Sequence, residues 1–195
     1  LGADGYRVVT GGADGNRDWV TLRNYRDDSG LDADINIRTH DIATIGLWGP
    51  KAVNALGNFI DPNEIDISNF PFVSAKNLSL SLSGGKKVDV WAARISYVGE
   101  SGWEIYFNNN KDDGLALYDS LLEVGVVPVG IETYANSRRL EKSFRLQGAD
   151  LETDYTAIEA AIQRPLVKEA DFHGKAAHLA QREEDPCAIL CTMTL

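Results

Sequence analysis

The sequence predicts an α+β fold with a mixed, mostly antiparallel sheet and helices on one face. Residues 77–107 alternate apolar and polar side chains in three segments joined by short turns, a pattern typical of an antiparallel meander. Apolar residues recur at helical spacing in residues 16–28 and 112–125. The chain begins with the order strand, helix, strand, strand, helix, which favours helices layered on an antiparallel sheet.

The elements before the meander are predicted from local spacing. Trp19, Leu22 and Tyr25 share one face of the first helix. Gly49-Pro50 begins the second, because proline is tolerated in the first helical turn. The strands are predicted at residues 5–11, 33–40 and 42–49, and the helices at 16–28 and 50–60.

The meander and the second half follow the same rules. Gly84-Gly85 predicts the first turn of the meander, and Gly125 ends the helix after it. The meander strands are predicted at 77–83, 86–97 and 102–107, the helices at 112–125 and 134–144, shorter helical pieces at 150–162 and 174–184, and a last strand at 187–195.

Composition limits the classes of partner. The chain has 195 residues, 44% of them hydrophobic, which is enough for a buried core. The formal net charge is -10, so the sequence predicts neither a nucleic-acid nor an anionic-membrane partner. No run of about 18 apolar residues predicts a transmembrane helix, and the start shows no signal-peptide pattern.

No metal site is predicted. Cys187 and Cys191, the only cysteines, are four residues apart. They are predicted to be two reduced, half-buried thiols, because His40, His173 and His178 show no matching ligand spacing.

Residues 95–105, ISYVGESGWEI, combine a strand pattern with two glycines and two carboxylates. Glycine weakens a strand interior and a buried carboxylate needs a partner, so the segment is expected to serve more than packing. Gly99 and Gly102 would permit a tight return of the chain. Glu104 would face away from Trp103 and Ile105, its neighbours in the strand.

Four blocks occur in order and give the family resemblance: RVVTGGADGNRDW, RISYVGESGWEIYF, RRLEKSFRLQGADL and DFHGKAAHL. Together they closely resemble the glycine-cleavage T-protein (aminomethyltransferase) superfamily. The sequence is most similar to the folate-binding portion of the dimethylglycine and sarcosine dehydrogenases or oxidases. Two details support this subclass, because T-proteins usually have Tyr-Thr-Gly-Glu and an alanine after Leu-Glu. This chain has Tyr97-Val98-Gly99-Glu100 and Leu140-Glu141-Lys142.

The resemblance implies that Tyr97 and Glu104 contact the pterin of tetrahydrofolate. The chemistry is consistent with that role, because a pterin presents a ring N–H beside an exocyclic amino group, and one carboxylate can accept both hydrogen bonds. Tyr97 would offer a ring for packing and a hydroxyl for hydrogen bonding. Glu100, in the turn, is interpreted as a structural carboxylate.

Two arginines are further candidates for folate binding by resemblance. T-proteins have an arginine that reaches folate where this chain has Tyr134 and Ala135. Arg138 or Arg139 could replace it if the helix is shifted, and Arg139 is the one carried forward as a candidate. For Arg139 the favoured alternative is a structural pairing with Glu141. Arg164 lies where relatives have an aromatic residue; it could stack on a ring or bind the folate carboxylate tail, or lie on the surface.

The resemblance also predicts the domain organisation. Residues 1–185 would form a partial folate-binding domain that lacks its N-terminal strands, and residues 186–195 would begin a C-terminal β-barrel domain. The catalytic aspartate of the family is expected before residue 1, so no catalytic residue is assigned here. No Gly-x-Gly-x-x-Gly motif occurs. Any FAD site would therefore lie outside this chain, and the resemblance implies a covalently linked flavin domain as its place.

The implied function is transfer of a one-carbon unit from a small N-methyl amine or aminomethyl donor to tetrahydrofolate. The alternatives are a stand-alone T-protein, another folate-dependent demethylase, or a non-catalytic regulatory relative. The expected location is the cytoplasm, or the mitochondrial matrix in a eukaryote.

Overall fold

The computed structural model describes residues 5–162 and 167–193. The chain divides into two compact units, with the boundary between Ala43 and Thr44. In the first unit, helix α1 spans Gly15–Asp28, as predicted. Asp18 lies in its first turn and Arg26 in its last, which suits the helix dipole.

The second unit contains a four-stranded sheet in the order β1-β4-β3-β2. Strands β2 and β3 pair antiparallel, and so do β3 and β4, which confirms the predicted meander and the α+β class. The turn between β2 and β3 contains Gly84 and Gly85 at φ 74° and 79°, values that suit glycine. The strands are β1 (Ile42–Trp48), β2 (Ala75–Ser81), β3 (Lys87–Ala93) and β4 (Gly102–Asn108).

Five further α-helices follow α1 in the described part of the chain. The predicted helix at 112–125 is confirmed as α4, where the Asn110 side chain accepts a hydrogen bond from Asp113 N at 2.7 Å and caps the first turn. The helix predicted at 134–144 is instead a π-helix, Thr133–Arg138, that continues into a short α-helix. The helices are α2 (Ala52–Leu56), α3 (Pro62–Ile65), α4 (Lys111–Glu123), α5 (Arg139–Glu141) and α6 (Lys175–Gln181).

Three predicted strands are wrong. Residues 5–11, 33–40 and 187–193 have no regular structure, and residues 194–195 lie outside the described residues. The apolar side chains of these segments are largely exposed, Val8 at 63% and Ile37 at 53%. A strand requires a neighbour for its backbone and a cover for its apolar face, so β-propensity alone does not form one.

The predicted helical piece at 150–162 is only a single turn. Thr156 and Glu159 cap each other, with the Glu159 carboxylate accepting from Thr156 N at 2.9 Å and the Thr156 hydroxyl accepting from Glu159 N at 3.1 Å. Ala161 then adopts φ 55°, which ends the turn because left-handed backbone cannot continue an α-helix.

The core lies against one face of β4. Trp103 and Ile105 are fully buried and Phe107 nearly so, as alternation requires for residues on one face. Gly114 of α4 lies against the Phe107 ring, where an added Cβ would be 3.4 Å from Cε2. Helix α4 therefore covers this face, and the side chains between these positions point to the other face.

Candidate functional site

Glu104 lies on the face of β4 opposite the core, as predicted. It is half-buried between fully buried Trp103 and Ile105. In the antiparallel register Glu104 is opposite Ala93, and Tyr106 is opposite Trp91. Because Ala93 is small, the carboxylate has no large neighbour directly opposite it on β3.

One oxygen of Glu104 is held by its neighbour on the same face. The Tyr106 hydroxyl donates a hydrogen bond to Glu104 Oε2. The Tyr106 ring packs edge-on against Trp91, with centroids 5.1 Å apart, which fixes the direction of that hydroxyl. Among the described residues nothing donates to Oε1, so this oxygen can accept from a ligand.

Tyr97 is held by its hydroxyl and by its ring. The hydroxyl donates to Arg145 O at 2.8 Å, and the ring stacks on Phe144 with centroids 6.1 Å apart and planes 18° apart. Burial raises the pKa of Tyr97; the Arg139 guanidinium opposes that shift and the Asp150 carboxylate reinforces it. Since the hydroxyl proton is engaged, Tyr97 offers a ligand its ring and a hydroxyl lone pair.

Tyr134 connects the two predicted pterin residues. Its ring centroid is 5.3 Å from that of Tyr97 and 5.3 Å from that of Trp48, and it is stacked on Trp48 with planes 26° apart. Burial raises the pKa of Tyr134, and the Glu104 carboxylate and Tyr97 raise it further. Tyr134 is therefore in direct contact with the Tyr97 ring and within electrostatic range of Glu104.

The sequence interpretation did not assign a role to Tyr134 or Trp48. The available signal was the tyrosine at 134 in a region where T-proteins have a folate-reaching arginine. Trp48 gave no such signal, because a tryptophan at the end of a strand is ordinary core material. Its role follows only from the tertiary structure, in which Trp48 Nε1 donates to Ile95 O at 2.9 Å.

The two glycines of the hairpin adopt backbone conformations that other residues rarely reach. Gly99 has φ 76° and Gly102 has φ 151°. These positions let the chain leave the Tyr97 segment and enter β4 within a few residues. The predicted tight return is therefore present.

Glu100 forms an ion pair, in agreement with its interpretation as a structural carboxylate. Arg138 on the π-helix contacts Glu100 at 2.7 Å and Glu141 at 2.8 Å. This arginine links the hairpin turn to the helix that contains Tyr134. The side chains are about one-third exposed for the Arg138–Glu100 pair, so the link is worth no more than about 1 kcal/mol.

Arg139 is buried, at 5% exposure, and its contacts are with the protein. Its side chain donates to Ala135 O at 2.6 Å and Phe144 O at 3.0 Å, and forms an ion pair with Asp150. The suggested pairing with Glu141 is wrong, because Glu141 pairs with Arg138. The role of Arg139 in folate binding stays a prediction. Arg164 lies outside the described residues, and its role also stays a prediction.

A cleft of about 380 Å³ is lined by the end of β1, including Trp48, by α2 and by residues 124–127. Neither Tyr97 nor Glu104 lines it. It therefore gives no support to the predicted pterin contacts.

In the described ranges, no group of three or more His, Cys, Asp or Glu side chains is arranged to hold a metal ion. Cys187 and Cys191 are free, as predicted, but exposed rather than half-buried. None of the described helices is long and apolar enough to cross a membrane.

Residues 1–169 match the family model of the GCVT N-terminal domain. The chain belongs to this family. It is 33% identical over 178 residues to the mitochondrial dimethylglycine dehydrogenase of Homo sapiens, covering 88% of this chain and 20% of that protein. It is 29% identical over 162 residues to the aminomethyltransferase of Herpetosiphon aurantiacus, covering 83% of this chain and 41% of that protein.

These comparisons confirm the predicted membership of the T-protein superfamily and the likeness to dimethylglycine dehydrogenases. A second such relative, from Rattus norvegicus, is 36% identical over 154 residues, which cover 76% of this chain and 17% of that protein. The chain spans about a fifth of the length of the dimethylglycine dehydrogenases it matches and about two-fifths of the aminomethyltransferases.

Proposed function

We propose that this chain binds the pterin of tetrahydrofolate through Tyr97 and Glu104. The protein that contains it would transfer a one-carbon unit to tetrahydrofolate from an N-methyl amine of the dimethylglycine or sarcosine type. The named relatives support the donor class, since dimethylglycine dehydrogenases match most of this chain. Because the chain spans a fifth of those proteins, the whole reaction is part of the proposal.

The main support is that both predicted residues, Tyr97 and Glu104, interact with Tyr134. Its ring contacts that of Tyr97, and the Glu104 carboxylate helps to raise the pKa of Tyr134. A flat ring at this place would therefore meet an aromatic face and a carboxylate together. Those are the groups that a pterin requires, one for stacking and one to accept from its ring N–H and amino group.

The chemistry of Tyr97 and Glu104 fits the pterin of tetrahydrofolate. Glu104 has one oxygen oriented by Tyr106 and the other without a donor among the described residues. Tetrahydrofolate, when bound, supplies the nucleophilic nitrogen that captures the one-carbon unit. Tyr97 and Glu104 contribute by binding and orienting the pterin, which lowers the entropic part of the barrier. Oxidation of the donor, and FAD, are assigned to residues outside this chain.

A second candidate is an aminomethyltransferase of the glycine-cleavage type or another folate-dependent demethylase. The aminomethyltransferase of Alkaliphilus metalliredigens favours it, since it is 32% identical over 158 residues. Turnover by the full protein separates the candidates. Formation of methylene-tetrahydrofolate from dimethylglycine or sarcosine supports the first, and activity only with an aminomethyl donor supports the second.

Calorimetry with folinic acid tests the pterin site. Glu104→Gln keeps the size of the side chain and an acceptor for Tyr106 but places an amide where the pterin donors would be. We expect it to weaken binding roughly 10- to 100-fold, since charge-assisted bonds are lost. Glu123→Gln, on the exposed end of α4, is the matched control and should leave binding unchanged.

Two outcomes would contradict the pterin assignment. If the unaltered chain does not bind folinic acid, the protein is better described as a regulatory relative without folate binding. If it binds and Glu104→Gln binds equally well, folate is held elsewhere on the chain.

A further inference from the structure

Three aromatic rings around the predicted pterin site differ in how they are held. Trp48 is fixed by a hydrogen bond from Nε1 to Ile95 O at 2.9 Å, and Tyr97 by one from its hydroxyl to Arg145 O at 2.8 Å. Tyr134, which contacts both rings, has no hydrogen bond from its hydroxyl to any described residue. The side chains of Trp48 and Tyr97 are therefore anchored by hydrogen bonds, whereas the side chain of Tyr134 is held by its ring contacts with them.

The position of Tyr134 also matches what a pterin would require. The ring is stacked on Trp48 and lies close enough to Glu104 for the carboxylate to act on its phenol. Glu104 nevertheless takes its hydrogen bond from Tyr106. The Tyr134 phenol is therefore within electrostatic range of the carboxylate but does not donate to it, whereas a donor-rich heterocycle would.

The backbone that contains Tyr134 is an unusual helix, held at Ala135 O by buried Arg139 and at Arg138 by the hairpin turn. Tyr134 lies in the π-helix Thr133–Arg138. This conformation is rare in proteins overall, but where it occurs it is often at a functional site. One link from this segment to the hairpin is the ion pair between Arg138 and Glu100, whose side chains are about one-third exposed. An ion pair of this exposure is weak, so opening it costs little.

We propose that Tyr134 is a specificity-determining plug, whose ring occupies the pterin place between Trp48 and Tyr97 and must swing out before a flat heterocycle binds. This inference rests on the proposed function. A ligand with a flat ring replaces the stacking contacts of Tyr134 and, unlike the phenol, donates to Glu104. A ligand without both features does not recover the cost of displacing the ring, so the plug selects against it.

The opposite role is that Tyr134 is a fixed wall on which the ligand stacks. The two roles predict opposite effects of removing the ring. If Tyr134 is a plug, removing its ring raises the fraction of the protein that is open to the ligand, and the apparent affinity rises with that fraction. If Tyr134 is instead a fixed stacking surface, removing its ring deletes a contact with the ligand, and the affinity falls.

The test is folinic acid binding by the full chain, measured by calorimetry and by stopped-flow fluorescence. Tyr134→Ala should bind about tenfold more tightly, as expected if about a tenth of the unaltered protein is open. Tyr134→Phe should bind like the unaltered chain, because the hydroxyl anchors nothing. Tyr118→Ala, an exposed tyrosine of α4, is the matched control and should also bind like the unaltered chain.

The association rate gives an independent readout. For the unaltered chain it should level off at high ligand concentration, because opening precedes binding, and for Tyr134→Ala it should rise linearly. Glu100→Gln keeps Tyr134 but loosens Arg138, so it should raise the plateau roughly two- to threefold. This variant tests the plug without removing a ring.

The outcomes separate this proposal from the folate site itself. Equal or weaker binding by Tyr134→Ala, with an unaltered chain that binds, overturns the plug and leaves the folate site standing. Binding by Tyr134→Ala alone supports both. If neither protein binds folinic acid, the folate site fails and the plug fails with it.

Discussion

Gly102 lies directly against the carbonyl of Leu47. A Cβ added to Gly102 would be 1.9 Å from Leu47 O, and the φ of Gly102 is 151°. The first residue of β4 can therefore approach β1 only as glycine. This contact sets where β4 begins, and with it the position of Glu104 two residues later.

Gly102→Ala should destabilise the fold by roughly 2–4 kcal/mol, because it adds both backbone strain and a clash with main-chain atoms. The free energy of unfolding in urea measures the effect. Gly114→Ala is the control, since its Cβ would make ordinary contact with Phe107 and alanine favours a helix by up to about 1 kcal/mol. Equal stability of the two variants would contradict the close approach.

Asp150→Ala should cost roughly 2–4 kcal/mol of unfolding free energy. Asp150 neutralises buried Arg139 and also accepts from Leu146 N at 2.9 Å. Removing it leaves a buried guanidinium without its counter-charge. Asp154→Ala, at an exposed position four residues later, should change stability by less than about 0.5 kcal/mol. A small effect of Asp150→Ala in urea unfolding would show that Arg139 does not depend on this pair.

Tyr134 should make the protein less stable at high pH. Its folded-state pKa is raised above 10.0, mainly by burial, so the folded state keeps the phenol proton more tightly than the unfolded chain. This stabilisation is complete below the unfolded pKa and is lost as pH rises through the folded pKa. Unfolding free energies measured from about pH 9 to about pH 11 should fall less steeply for Tyr134→Phe.

Tyr97→Phe should act in the same direction as Tyr134→Phe, because burial also raises the pKa of Tyr97. If the free energy of unfolding fell with pH as steeply in both variants as in the unaltered chain, neither phenol would be linked to folding.

The fold was predictable where local pattern and tertiary partners agree. Strands β2 and β3 alternate and are joined by Gly84-Gly85, and β4 pairs antiparallel with β3, so pattern and turn chemistry point to the same meander. Residues 5–11 have the same β-branched content as a strand, yet Val8 and Val9 are exposed and pair with nothing in a sheet. Pairing partners are distant in sequence, so composition cannot supply them.

The candidate site divides in the same way. The outward face of Glu104 followed from alternation between Trp103 and Ile105, which is a local property. The neighbours of Tyr97 did not, since Arg145 is 48 residues away and Tyr134 is on another element. Glu141 was the expected partner of Arg139 if that arginine was structural, but Arg139 pairs with Asp150 instead. Helix geometry gives the exposed pairs, whereas burial selects the partner of an inward-facing charge.

Arg94→Met should destabilise the fold by roughly 2–4 kcal/mol, although Arg94 is charged and next to a strand end. Arg94 is 6% exposed, and its guanidinium donates to Ile65 O at 3.0 Å and Phe70 O at 2.7 Å. It also lies over the Trp103 ring, 5.0 Å from the centroid. Methionine would fill the space but leave two buried carbonyls without donors.

Urea unfolding of two further variants makes the Arg94 prediction specific. Arg94→Lys keeps a charge but not the planar fork that reaches both carbonyls, so its loss should be intermediate. Arg17→Met removes an exposed arginine that pairs with Asp14 and Asp18, and should change stability by less than about 0.5 kcal/mol. If Arg94→Met were as stable as Arg17→Met, the two carbonyls would have to be satisfied by water, and Arg94 would not hold the 65–70 segment to the core.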